Sequence, residues 1–165
     1  MLKIYSTNIE TNKIEEIKEI KKGSWINLVN PSENEIKKVC ESVEIQEDFI
    51  RDALDFEEKA RIDNEEDDGT ILFVVDVPII EKNEENDVYT TMPLGMIVVR
   101  DDYFITVSLR KNKVIEDFEK MKIKNFLYKY SIILFIGFVS FLIVSFPFQY
   151  TQDKMNNVSQ PVRWL

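Results

Sequence analysis

The sequence contains no histidine and a single cysteine, Cys40, among its 165 residues. Disulfide frameworks, zinc sites built from His or Cys, and Ser/His or Cys/His nucleophilic pairs all need residues that are missing here. A lone thiol suits a reducing compartment. Glycine is scarce too, with 4 residues, and no phosphate-binding loop pattern occurs. With no nucleophile beside a base and no metal-ligand cluster, an enzyme is not expected. Positive charge is also short: 21 Lys and Arg face 30 Asp and Glu, a formal net charge of −9. An acidic body cannot meet a phosphate backbone, so no nucleic-acid partner is expected, whereas cations are compatible with it. Met1–Tyr5 lacks the apolar core of a signal peptide, so nothing there predicts secretion.

What is present is unevenly spread. Residues 1–120 hold 29 acidic and 16 basic side chains, whereas residues 121–165 hold one acidic and five basic. Two different materials meet near Met121. Tyr89 to Leu109 carries two runs rich in β-branched and aromatic residues joined by Asp101-Asp102, the strongest hairpin signal in the chain. Leu94, Met96 and Val98 fall on one face of the first run and Gly95, Ile97 and Val99 on the other, so both faces are apolar and a central strand is predicted. Ile71–Val75 reads the same way, with Pro78 as its stop and Glu81–Asp87 as a charged loop. Leu2–Tyr5 and Ser24–Val29 are further strands flanking a charged, helix-prone or looped segment, Thr11–Lys22.

Helices are predicted between the second and third strands. Asn30-Pro31-Ser32-Glu33-Asn34-Glu35 supplies a cap and a capping box, and Ile36, Val39, Cys40 and Val43 then recur at helical spacing. That spacing makes Cys40 a core residue, and no base is available to activate it as a nucleophile. A second helix is predicted over Gln46–Phe56, with Phe49, Ile50, Ala53 and Leu54 as its stripe and Asp48, Arg51, Asp52 and Asp55 off it. Ala60-Arg61-Ile62-Asp63 leads from there into a polar turn at Asn64–Gly69, which lacks the alternating ligands, central Gly and terminal Glu of a calcium loop. The expected fold class is α/β (α+β mixed): a small mixed sheet with helices packed on it, followed by a helix and an apolar C-terminal tail.

That last helix is predicted from Lys111 to Phe126, with Val114, Phe118 and Met121 aligned. Tyr130 to Gln152 then carries no charge, and about twenty such residues are what a bilayer core needs. A single membrane span over about 130–149 is predicted. Lys122, Lys124 and Lys129 precede it, which would leave the acidic body in the cytoplasm. A buried helix or strand pair is the competing reading.

Ser24-Trp25-Ile26-Asn27-Leu28 before the capped helix, Phe49 to Asp55 leading through Lys59-Ala60-Arg61-Ile62-Asp63, the Ile71–Val75 strand, and Thr91-Met92-Pro93-Leu94-Gly95 with Tyr103–Val107 occur in that order. Over residues 1–126 this resembles the N-terminal cytoplasmic domain of the CorA family of magnesium and cobalt transporters. The resemblance implies divalent metal cation transport, a homo-oligomer that is pentameric in the family, and a cytoplasmic domain whose helix continues toward the membrane. It also implies a pore marked by Gly-Met-Asn and regulatory Mg2+ bound between subunits, which holds the pore closed. The family's sensing Asp corresponds here to Asp52, the candidate Mg2+ site. Asp52 also has a plain reading as a solvated carboxylate on a helix face.

Gly-Met-Asn occurs nowhere in the chain, the nearest match being Lys154-Met155-Asn156-Asn157, and one apolar span stands where the family has two. The expectation is therefore a truncated member: a Mg2+-sensing domain over 1–126 and a tail over 127–165 that is either a membrane segment or an out-of-frame translation. The alternative is a membrane-anchored or soluble regulatory module with no transport activity of its own.

Overall fold

The two stretches apolar on both faces become neighbouring strands inside a sheet of seven. The computed structural model describes residues 1–8, 10, 13–65, 69–82 and 87–119. In chain order the elements are β1 (Leu2–Asn8), β2 (Lys13–Ile17), β3 (Ser24–Val29), α1 (Glu33–Val43), α2 (Asp48–Asp52), β4 (Arg61–Glu65), β5 (Thr70–Lys82), β6 (Asp87–Val99), β7 (Tyr103–Ser108) and α3 (Lys113–Glu119). The sheet runs β2-β1-β3-β7-β6-β5-β4. Its β3–β7 pair is parallel, Ser24 opposite Tyr103 through Val29 opposite Ser108. The other described pairings are antiparallel. The architecture is mixed α/β, as expected from the sequence.

One face of the sheet is closed by α1 and α2. Ile36, Val39, Cys40 and Val43 of α1 and Phe49 and Ile50 of α2 meet Ile26, Leu28, Leu72, Val74, Ile97, Val99, Ile105 and Val107 in one core. Burying a side chain of this size stabilises by about 1.5–3 kcal/mol, so this layer is the main source of stability. The predicted capping box is present: Ser32 Oγ accepts from the Glu35 backbone N–H, and Glu35 Oε2 accepts from the Ser32 N–H at 2.8 Å. At the other end of α1 the chain turns left-handed at Glu44 (φ 59°). Arg100 Nη2 donates to the Val43 carbonyl there at 2.5 Å, satisfying an orphan acceptor at the helix end.

Several expected boundaries are corrected by tertiary contacts. Within the segment read as helix-prone or looped, residues 13–22 hold a strand and no helix. Lys13–Ile17 pairs with β1, and its charged positions Glu15 and Glu16 suit an edge strand exposed to water. The lead-in at 60–63 instead enters β4, which begins at Arg61 on the opposite edge of the sheet. The helix predicted over Gln46–Phe56 shortens to Asp48–Asp52, after which the backbone tightens into i→i+3 turns, the Leu54 N–H on the Arg51 carbonyl and the Asp55 N–H on the Asp52 carbonyl.

Pro78 does not stop β5, which continues to Lys82 opposite Asp87 of β6. Pairing of β5 with β4 ends at Val74, and pairing of β6 with β7 ends at Leu94. Pro78 and Pro93 both lie just beyond these points, where a strand has lost its outer neighbour and tolerates a missing N–H. The β6–β7 link turns at Arg100 and Asp101 (φ 49° and 56°), closed by the Asp102 N–H on the Val99 carbonyl, rather than at Asp101-Asp102. On α3 the buried stripe is Ile115 and Phe118 rather than Val114 and Phe118.

Among the described residues no helix is long and apolar enough to cross a membrane. The span expected over about 130–149 and the rest of the tail lie outside them, as do Met121 and residues 66–68 and 83–86.

Candidate functional site

Asp52 is the last residue of α2, and β4 begins nine residues later with Arg61. Pairing of β4 with β5 sets Arg61 opposite Val74 and turns its side chain toward the end of α2. The guanidinium is then shared by three carboxylates. Nη2 donates to Asp52 Oδ2 at 2.6 Å, Nε donates to Asp63 Oδ2 at 2.5 Å, and Nη1 meets Glu58 Oε1. All four side chains remain partly open to solvent, with relative exposures between 25% and 46%. The Asp63 bond is the main cause of a raised Arg61 pKa; burial opposes it. The guanidinium therefore stays charged, and the cluster carries an excess of negative charge.

Chemically the donors are all carboxylate oxygens, which is the set a hard cation takes. Arg61 stands where such a cation would be balanced. Among the described residues no three acidic, His or Cys side chains lie close enough to grip one ion.

A second polar assembly sits on the opposite face of the sheet, where α3 packs. Glu119, at the end of the described part of α3, is held by Tyr5 OH at 2.9 Å, by Asn27 Nδ2 at 3.0 Å and by Lys3 Nζ at 3.3 Å. The chain of bonds continues inward, since Thr106 Oγ1 donates to Asn27 Oδ1 at 3.0 Å and Trp25 Nε1 donates to Thr106 Oγ1 at 2.9 Å. Tyr5 and Trp25 stack with ring centroids 4.9 Å apart. Burial pushes the Glu119 carboxyl up, but the bonds from Tyr5, Asn27 and Lys3 outweigh it and hold the group below the usual carboxylate range. Burial, then the bond to Glu119, pushes the Tyr5 phenol well above its usual range. A cleft of about 230 Å³ beside this network is lined by Lys3, Asn27, Val29, Ile115 and Glu119 among others. Its central polar groups bond to one another, so it works as a joint between α3 and the sheet.

Cys40 lies in the core of α1, and burial, then the Glu47 charge, pushes its thiol up to about 11. A protonated, enclosed thiol is no nucleophile.

A family model, the CorA-like Mg2+ transporter protein, matches residues 21–151. The chain belongs to the CorA-like family. No curated protein matches the sequence. Among solved structures, this CorA-like chain resembles the complete CorA magnesium transporter of Methanocaldococcus jannaschii, with a TM-score of 0.64 and 19% identity over 99% of this chain and 53% of that one. It also resembles the soluble domain of CorA from the same organism, with a TM-score of 0.67 and 18% identity over 96% of this chain and 64% of that one. Identities this low carry the fold alone. The CorA-like chain thus spans 53% of the complete transporter and 64% of the soluble domain it matches.

Of the residues singled out in the sequence, Asp52 is brought to a charged cluster and Cys40 to the core. Arg61, Glu58 and Asp63 were not expected as partners of Asp52. Their signal was the alternation of Arg61 and Asp63 about Ile62, which is a strand pattern placing both charges on one face. The Glu119 network gave no local signal, since its members are separated by up to 116 positions.

Proposed function

We propose that this chain is the Mg2+-sensing cytoplasmic portion of a CorA-type divalent-cation transport system, with Asp52 as its sensing carboxylate. The family match supports the transport setting, and the all-oxygen, net-acidic cluster at the end of α2 is the observation that carries the sensing role. In this reading Mg2+ is held through its water shell by Asp52 and an acidic group of a neighbouring copy in a homo-oligomer, pentameric as in the family. The helix beginning at Lys113 is the start of the stalk toward the membrane, and the Glu119 network fastens it to the sheet. The ion that crosses the membrane, Mg2+ or Co2+, is cargo and is distinct from the Mg2+ ion sensed at Asp52. The tail over 127–165 would attach the domain to the membrane, leaving residues 1–126 on the cytoplasmic side.

A second reading is a regulatory module that gates a transporter without conducting. Metal flux in a transport-deficient host separates the two: uptake restored by this chain alone supports conduction, and uptake changed only beside an intact transporter supports regulation. Sensing itself is tested by thermal unfolding of the full chain with millimolar MgCl2. At ten times Kd, a ligand that binds only the folded state stabilises by about 1.4 kcal/mol, a rise of a few degrees in Tm that Asp52→Asn should abolish. No rise in the wild type, or an equal rise in the variant, removes Asp52 from the sensing role.

A further inference from the structure

We infer that the cleft between α3 and the sheet binds a small monocarboxylate, with Asn112 Nδ2 and the Lys111 ammonium as the groups that receive it. The cleft holds about 230 Å³ between Lys3 and Val29 of the sheet and Lys111, Asn112 and Ile115 at the start of α3. The Glu119 network uses the polar groups at its centre, but not Asn112. Asn112 Oδ1 accepts from the Ile115 N–H at 2.9 Å, which fixes the orientation of the amide. Nδ2 is then closed to bulk solvent and has no hydrogen-bond partner among the described residues, in a side chain only 5% exposed. A buried donor left unmet is rare in folded proteins, because it has lost its bonds to water and gained nothing in return. An acceptor oxygen brought into the cleft would meet it. Lys111, the preceding residue, lines the same cleft and is exposed, so its ammonium is free to turn toward a bound anion.

The lining sets the class of ligand. One oxygen of a carboxylate accepts from Asn112 Nδ2 and the other pairs with Lys111, and donors that meet an anion make the stronger kind of hydrogen bond. Val29 and Ile115 offer apolar surface to a short hydrocarbon body. An apolar cavity of about 150 Å³ admits benzene, so this cleft has room for a body of that size together with its carboxylate. A second negative charge is disfavoured. Lys3 is already paired with Glu119 at 3.3 Å and the Met1 ammonium with Glu35 at 3.0 Å, while Glu116 on the α3 wall repels anions. Phosphate and dicarboxylates therefore fit less well than a monoanion. An occupant touches both walls, so its binding adds to the contact that holds α3 on the sheet.

The test is NMR of the full chain in detergent micelles, titrated with sodium butyrate against sodium chloride at equal concentration. The Asn112 side-chain amide protons report on the wild type, and the Val29 and Ile115 backbone N–H resonances report on the wild type and the variants alike. The expected result is a saturable shift in the millimolar range, with binding weaker by about tenfold or more in Asn112→Asp and by several-fold in Lys111→Gln. Asn112→Asp keeps an oxygen to cap α3 while replacing the donor. Lys111→Gln alters an exposed side chain, so it tests the proposal even where Asn112→Asp fails to fold. Butyramide, which lacks the charge, and succinate, which carries a second one, should both bind more weakly than butyrate. No saturable shift in the wild type, unchanged affinity in either folded variant, or binding of butyramide or succinate as tight as that of butyrate overturns the proposal.

Discussion

Gly95 allows α2 to lie as close to the sheet as it does, and adding one methyl group there should be felt across the domain. A Cβ built on Gly95 would stand 2.3 Å from Ala53 Cβ and 3.6 Å from Val107 Cβ. Carbon atoms in contact need about 3.5–4.0 Å, so Ala53 must retreat by roughly 1 Å or more. It cannot do so freely, because it is fully buried and sits at the C-cap of α2. Overpacking of this kind costs about 1–3 kcal/mol, and the expected destabilisation of Gly95→Ala is near the upper end. Ala53→Gly alone should cost about 1–2 kcal/mol, from one lost methyl and the added freedom of glycine. In the double variant the methyl at position 95 takes the space vacated at position 53. The two costs should therefore not add, with a coupling of about 1–2 kcal/mol in favour of the pair. Urea unfolding followed by far-UV circular dichroism measures all four stabilities. Additivity within about 0.5 kcal/mol would refute the claim that these two residues touch.

Other consequences follow from single groups. Cys40, enclosed and with its thiol pushed up to about 11, should resist thiol reagents at pH 8 and react at the rate of unfolding; labelling of the native protein within seconds would contradict its placement. Glu119→Gln should destabilise by about 1.5–3 kcal/mol at neutral pH, because it removes charged hydrogen bonds from Lys3, Tyr5 and Asn27. The Glu119 pKa is lowered by folding, so its stabilisation is present above the ordinary carboxylate range and is lost as pH falls through the lower folded value. The wild-type advantage over Glu119→Gln should accordingly shrink as denaturation midpoints are measured from pH 6 down to acid, and a gap independent of pH would argue against the network.

The parts of this fold legible in the sequence were those with a local signature. The capped helix α1 announced itself through Ser32, Glu35 and the Ile36/Val39/Cys40/Val43 spacing, β5 and β6 through runs apolar on both faces, and β7 through its β-branched and aromatic run. What escaped was decided by partners distant in sequence. β2 is a strand only because β1 lies beside it, and Lys13–Ile17 read alone favours a helix. β5 passes Pro78 because its outer neighbour ends at Val74, a fact no window around Pro78 contains. For the candidate site, Asp52 was visible through a family resemblance, whereas its guanidinium partner depends on the turn between α2 and β4 and on the β4 register.

The parallel contact between β3 and β7 bears on how the protein is made. β1, β2 and β3 form one antiparallel group and β4 to β7 another, and in the sheet the two are joined through that single contact. Trp25 and Thr106, which bond across it, are 81 positions apart. During synthesis the first group must wait with the β3 edge unpaired until β7 has left the ribosome, and a waiting edge is a template for another chain. Joining at such separation also makes slow folding the expectation. Nascent chains stalled before residue 103 should therefore be the aggregating species, and chains stalled just beyond α3 should not.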